Sequence, residues 1–247
     1  MISYYMWKVR IGTIFPSIFP GPLGVSCIGK ALGSKWNLKV DDLRQFGIGK
    51  HKTIDDTPCS GGAGMLMRAD VIDEWLNSTK SDLINYKYIY MSPRGSVLNS
   101  NMSKILTQKP LCILCGRFEG VDARVLTHWN IEEISIGDFI LCGGEVAALA
   151  LLESCVRLLP SVLGNAKSIQ TESFVQNLLE HDQYTKPIKW VPKCSKSSYN
   201  VPEVLLSGNH GKIEKWKLLN QQSITESRRP DLWSKYNRRK NGLASDV

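Results

Sequence analysis

Residues 111–145 read LCILCGRFEGVDARVLTHWNIEEISIGDFILCGGE, in which two glycine-bearing loops interrupt apolar, strand-like runs. The run from Leu111 to Cys115 leads directly into Gly116, Arg117, Phe118, Glu119 and Gly120. A strand is therefore expected to end in a turn whose backbone approaches another group closely. The pattern then repeats: residues 134–141 form a second strand-like run, broken by Gly137 and Asp138, that closes on Gly143 and Gly144 before a long apolar helix. Two such loops from neighbouring strands predict one shared pocket.

Outward from this stretch, residues 8–15, 86–91, 111–115 and 131–136 read as strands. Helical patterns lie between them near 69–79, 100–107 and 120–128, which is the alternation of a parallel sheet. Residues 144–159 (GEVAALALLESCVRLL) predict a mostly buried helix that Pro160 helps to stop. Small and polar residues from Ser161 to Ser173 suit a linker. Beyond it FVQNLLEH is expected to start a short helix, the proline-bearing section 187–204 to be extended, and LSGNHGKIEKWKLLNQQ to open a longer helix capped by Ser207 or Asn209. The resulting division is 1–163, a linker at 164–174, and 175–247.

A chain of 247 residues with 43% hydrophobic content can bury a full core. No apolar run approaches the roughly 20 residues that span a bilayer, and Lys8 and Arg10 make the N-terminus too polar for a signal peptide, so the cytoplasm is the expected compartment and no membrane partner is expected. Seven cysteines, an odd number without a repeating framework, fit reduced thiols. Cys112 and Cys115 form a C-x-x-C inside a strand, where residues three apart point to opposite faces, and with no second pair they make no zinc site. No metal site is read from the sequence.

The net charge of +8 points towards a polyanion. Basic residues thicken between Lys186 and Lys240, interleaved with Trp190, Trp216, Trp233 and Tyr236. Cationic side chains hold phosphates and aromatic rings stack on unpaired bases, so RNA is a candidate partner; a solvated helical surface over buried tryptophans gives the same composition. GIGKHKT at 47–53 is no phosphate loop, because Arg44 stands at its first glycine position and His51 replaces the hydroxyl residue. GNHGK at 208–212 fails likewise at Leu206, and no G-x-G-x-x-G follows the first strand.

Several blocks, in this order and spacing, resemble the bacterial tRNA (guanine-N1)-methyltransferase TrmD family of the SPOUT superfamily. They are HKTIDD (51–56), GGAGMLM (61–67), YMSPRG (90–95), CGRFEGVDARV (115–125), SIGDFILCGGE (135–145), YTKP (184–187) and VPEVLLSGNHGKIEKW (201–216). The resemblance covers roughly residues 8–233. It implies an α/β fold, a SPOUT-type parallel sheet with a deep trefoil knot, joined to a smaller, mainly helical C-terminal domain that binds tRNA. Sequence rules alone predict no knot, since threaded chains are nearly absent from folded proteins. It also implies a homodimer that transfers a methyl group from S-adenosyl-L-methionine to N1 of guanosine 37 in tRNA. The cofactor would be held by Tyr90, Met91 and Pro93 of one loop, by Gly116 and Glu119 of a second, and by Ile136, Gly137, Asp138, Phe139, Ile140, Leu141, Gly143 and Gly144 of a third.

N1 of guanine carries a proton at neutral pH, so methylation there requires a base for that proton and a cation or donor for charge developing on O6. By position in the family motif the base is Glu172 and the cation Arg157. Each has a structural alternative: Arg157 lies one helical turn from Glu153, and Glu172 follows Thr171 as a first-turn acid would follow its cap. The chain departs from the family's usual residues at Glu172 and Glu180, where aspartate is common, and at Cys59 and Ser60 before Gly61. Competing readings are a SPOUT-type enzyme acting on another RNA atom and a non-catalytic RNA-binding homologue.

Overall fold

The computed structural model describes residues 6–164, 172–194 and 197–242. Contacts divide the chain into two compact units, Met1–Gly164 and Asn165–Val247.

The first unit is built on a five-stranded, all-parallel sheet. Its strands are β1 (Trp7–Thr13), β2 (Trp36–Asp42), β5 (Lys87–Val97), β6 (Leu111–Leu114) and β7 (Glu132–Ser135), in the spatial order β2-β1-β6-β5-β7. Register is continuous across the centre: Ile11 pairs with Val40 on one side and Ile113 on the other, and Ile113 pairs with Ile89. Side chains alternate between two cores. Val9, Ile11, Ile89, Leu111, Ile113 and Cys115 enter a core shared with α1 (Ser26–Ala31), α3 (Ser100–Leu106) and α5 (Gly144–Val156), while Tyr90, Cys112 and Leu114 enter another shared with α2 (Ala69–Thr79) and α4 (Ala123–His128). The two cysteines of the C-x-x-C thus lie in different layers, as the alternation rule requires. A short pair, β3 (Asp55–Asp56) and β4 (Leu66–Met67), is antiparallel.

The parallel α/β alternation expected from the sequence is present, with local corrections. Strand β2 is an addition to the expected set, although Trp36, Leu38 and Val40 alternate as a half-buried edge strand should. The strand-like run 134–141 is a strand only to Ser135. Beyond it the Ser135 hydroxyl donates to the Gly137 carbonyl and accepts from the Gly137 amide, both over 3.1 Å, and Gly137 takes φ +147°, which ends the pairing. Helix α5 ends at Val156, before Pro160 is reached, and its last turn tightens through Leu158 N–H to the Cys155 carbonyl over 2.9 Å.

In the second unit β8 (Lys189–Trp190) and β9 (Tyr199–Asn200) pair as an antiparallel hairpin within the section expected to be extended. The helices are α6 (Glu203–Leu206), α7 (His210–Arg228) and α8 (Pro230–Lys240). Of the two expected caps it is Asn209 that serves, its side chain accepting from the Lys212 amide over 3.1 Å. FVQNLLEH does not start an α-helix: a single 3-10 turn spans Val175–Asn177, and Phe174, Gln176 and Asn177 all take positive φ. Helix α8 is also an addition to the expected elements. Residues 1–5 and residues 165–171 of the expected linker lie outside the described residues. No helix among the described residues is long and apolar enough to cross a membrane.

Candidate active site

A bulge within β5 and the loops that follow β6 and β7 converge on one cavity of about 250 Å³. Every residue expected to hold the cofactor lines it except Asp138.

Each wall has a local cause. In β5, both Met91 and Ser96 register against Ile134, so residues 92–95 bulge out of the ladder. The bulge is fastened by the Ser92 hydroxyl, which donates to Glu133 Oε1 over 2.8 Å and accepts from the Arg94 amide over 3.2 Å. After β6 the chain turns through Phe118, at φ +59°, with the Gly120 amide donating to the Arg117 carbonyl over 3.1 Å. That turn rests on the GGAGM segment: Glu119 N–H donates to the Met65 carbonyl over 2.9 Å and the Glu119 side chain covers Gly64. The loop after β7 leaves Phe139, Ile140 and Leu141 exposed at the rim, Ile140 by 81%. Tyr90 closes the floor; burial pushes its phenol above the usual range, helped by the nearby Glu133 carboxylate.

Two glycines make this convergence possible. A side chain at Gly116 would collide with the Tyr90 ring, and one at Gly144 would press on the backbone of Cys115 and Gly116. The cavity is therefore a cradle where bare backbone at these two glycines meets apolar side chains such as Met91, Ile136 and Leu141 and polar ones such as Arg117 and Glu119.

The family model described as tRNA (Guanine-1)-methyltransferase TrmD matches residues 7–235. The chain belongs to this family. A tRNA (guanine-N(1)-)-methyltransferase of Ruegeria sp. (strain TM1040) is 50% identical over 238 residues, covering 95% of each chain. The protein of that name in Pelagibacter ubique (strain HTCC1062) is 50% identical over 233 residues, covering 94% of this chain and 99% of its own. That of Ehrlichia canis (strain Jake) is 51% identical over 228 residues, covering 91% and 94%.

Within this TrmD-family chain the two residues expected to be catalytic fall in different units. Arg157 is half-buried at the C-cap of α5, its amide donating to the Glu153 carbonyl over 3.3 Å. Glu172 is half-buried at the start of the second unit, where its carbonyl accepts from the Val175 amide over 3.2 Å. Glu180 is tied to the same turn: its amide donates to the Ser173 hydroxyl over 3.0 Å, and its carboxylate accepts from Gln183 over 2.6 Å.

Sequence motifs left out a buried charge cluster beside the cavity. Glu145 is only 1% exposed, accepts from the Thr13 hydroxyl over 2.7 Å and forms an ion pair with Arg117 at 2.9 Å. Arg117 stands between two glycines in the sequence, but nothing local marks Glu145, whose partner Thr13 is 132 positions away.

Among its described residues the second unit buries few side chains, Leu178, Thr225 and Leu232. Its aromatic residues pair near the surface instead. Trp190 and Tyr199 meet across the hairpin with ring centres 5.7 Å apart, and Trp233 stacks on Tyr236 at 5.4 Å. Trp190 is 55% exposed. The large buried tryptophans are Trp7, Trp36 and Trp75 of the first unit, so the late tryptophans are not core residues of the kind the composition allowed.

Proposed function

We propose that the protein transfers the methyl group of S-adenosyl-L-methionine to N1 of guanosine 37 in tRNA. The observation that carries this reading is the cavity formed by the three loops of residues 90–95, 116–120 and 136–144, walled by backbone at Gly116 and Gly144. When bound there, the cofactor supplies an electrophilic methyl group on a sulfonium centre. Tyr90, Met91, Pro93, Glu119, Ile136, Gly137, Phe139, Ile140, Leu141 and Gly143 are the other residues assigned to hold it. Asp138 is the member of the expected set that the cavity does not support.

The remaining chemistry belongs to side chains. Glu172 would take the N1 proton and Arg157 would compensate negative charge on O6, while the methyl–sulfur bond that breaks as N1 gains the methyl group would leave a neutral thioether. Bringing these two groups to one substrate is the work of a homodimer in this reading, each site combining loops of one subunit with the linker and C-terminal domain of the other. The exposed apolar residues Ile140 and Val146 support such a face. The deep trefoil knot of the SPOUT fold and the division into 1–163, 164–174 and 175–247 are part of the same proposal, the division supported by the boundary in contacts after Gly164. The basic, aromatic-bearing second unit is assigned to tRNA, and a tRNA substrate implies work in the cytoplasm.

The test is incubation with labelled S-adenosylmethionine and a tRNA transcript carrying guanosines at positions 36 and 37, followed by mapping of the methyl group. Label on N1 of guanosine 37 is the expected result. Label on a ribose hydroxyl or another base atom points to a different RNA methyltransferase, and tRNA binding without transfer points to a silent homologue.

A further inference from the structure

At the cavity wall, one guanidinium ties together three stretches that are far apart in the chain: residues 13–15, Arg117 itself and residues 142–145. Arg117 follows β6; its terminal nitrogens reach the Cys142 carbonyl at 3.3 Å, in the loop after β7, and Glu145 at 2.9 Å, in the first turn of α5. Its plane lies over the Phe15 ring, just after β1, with 4.5 Å to the ring centre. Thr13 completes the arrangement, donating to the other Glu145 oxygen at 2.7 Å and accepting from the Phe15 amide at 3.0 Å. The backbone at Gly143 passes so near the guanidinium that a side chain there would overlap it.

We propose that Arg117 and Glu145 are positioning residues, a lock that holds the loop of residues 139–143 in the shape that receives the cofactor. This rests on the reading of the cavity as the S-adenosylmethionine site. A buried carboxylate requires a partner, and Glu145, held by Thr13, presents its second oxygen to Arg117. The ion pair is Coulombic rather than an aligned hydrogen bond, because Glu145 Oε2 and Arg117 Nε are buried without an aligned partner. Charge and stacking, more than a bidentate fork, therefore hold the guanidinium. Arg117, Cys142 and Gly143 themselves line the cavity, so movement of the guanidinium moves its wall.

The test uses the full chain with three variants: Arg117→Lys, Glu145→Gln and the double variant Arg117→Met with Glu145→Gln, which removes both charges and leaves no unpaired ion. The double variant is expected to melt near the wild type, to bind S-adenosylmethionine about tenfold or more weakly by calorimetry, and to exchange the amides of residues 139–143 faster without cofactor. Its KM for tRNA should be unchanged while its KM for the cofactor rises. Arg117→Lys, which keeps the charge, should recover part of the cofactor affinity. A double variant with wild-type affinity and unchanged exchange at 139–143 overturns the lock, as does equal weakening for cofactor and tRNA. A wild-type protein that binds no S-adenosylmethionine overturns the assignment of the cavity instead, and amide exchange then still decides whether the pair holds the loop.

Discussion

The amide of Gly144 donates to the carbonyl of Gly116 over 2.9 Å, so the first turn of α5 begins directly against the loop that follows β6. A Cβ on Gly144 would lie 3.0 Å from the Cys115 Cα and 3.1 Å from the Gly116 nitrogen; on Gly116 it would lie 2.6 Å from the Tyr90 ring. Backbone at Gly144 is the harder obstacle, since a ring can swing away and a strand end cannot.

Replacement of either glycine by valine is accordingly expected to abolish measurable S-adenosylmethionine binding. Overpacking typically costs about 1–3 kcal/mol in stability, which leaves most of a well-packed unit folded. Calorimetry on the folded variants, with a melting curve beside it, is the check. Unchanged affinity in both would remove these loops from the cofactor site.

Cysteine reactivity gives an independent reading of the same cavity. Cys59, Cys142 and Cys194 are exposed, while Cys112, Cys115 and Cys155 are buried. Burial holds the first two buried thiols well above their ordinary range and pushes Cys155 up to about 12. Near pH 8 only about one Cys155 in ten thousand is a thiolate, so alkylation of the native protein should spare the buried thiols and fall first, ahead of half-buried Cys27, on the three exposed sites. Of those, Cys142 lines the cavity. Saturating S-adenosylmethionine should slow its alkylation and leave Cys194 unaffected; equal rates with and without bound cofactor would place the ligand elsewhere.

Much of the first unit was legible because its signals are short-range. The alternation that sends Cys112 and Cys115 to different cores is a property of any strand, and glycines after an apolar run mark a loop wherever they occur. Residues 136–141 misled for a related reason: Phe139, Ile140 and Leu141 look like strand, but exposed apolar residues around a cavity carry the same letters as buried ones. The Glu145 to Thr13 contact was out of reach, since nothing local to either residue names the other across 132 positions. In the second unit the short hairpin and α8 are polar elements with one apolar side at most, and their periodicity is too brief to stand out.

Arg10, which made the N-terminus look too polar for a leader, is a buried side chain, 5% exposed, that pairs with Asp41 and with Asp82 at 2.9 Å. Asp41 also accepts from the Trp75 indole over 2.8 Å. Arg10→Met should destabilise the protein by about 3–5 kcal/mol, because it leaves the largely buried Asp41 carboxylate with the Trp75 indole and without the opposite charge beside it. Arg124→Ala, which removes a surface pair with Asp122 whose arginine side chain is 82% exposed, should cost far less. Denaturant unfolding of the two variants checks the contrast, and comparable losses would mean that the Arg10 cluster is solvated.

RNA binding by the second unit separates charge from stacking. Exposed Lys235, Arg239 and Lys240 lie on α8, and the exposed ring of Trp190 on β8. Alanine at the three basic positions should weaken tRNA binding and flatten its salt dependence by about 0.9 in log-log slope for each phosphate no longer neutralised. Trp190→Ala should weaken binding by about 1–3 kcal/mol with the slope intact. Cofactor affinity should stay at the wild-type value in both. Binding that ignores salt altogether would return this face to an ordinary solvated surface.

Glu172 is the residue on which the assignment of the base turns, and it is also where the chain leaves the family's usual aspartate. A glutamate keeps the carboxylate but adds one methylene, so the backbone that carries it must stand slightly farther from the guanine. If the carboxylate takes the N1 proton, Glu172→Gln retains size and hydrogen bonding but lacks the base, and the rate of a single turnover should fall about a hundredfold to ten-thousandfold. Affinity for cofactor and tRNA should survive. Glu172→Asp restores the shorter acid in a turn shaped around the longer one, with the Glu172 carbonyl bound to Val175 at 3.2 Å, and should give partial activity. Geometry then sets the difference between the two acids and basicity the difference between acid and amide. Near-normal single-turnover methylation by Glu172→Gln would pass the role to another carboxylate. Glu180 is the first to examine, because its amide bonds Ser173 at 3.0 Å and keeps it on the same turn.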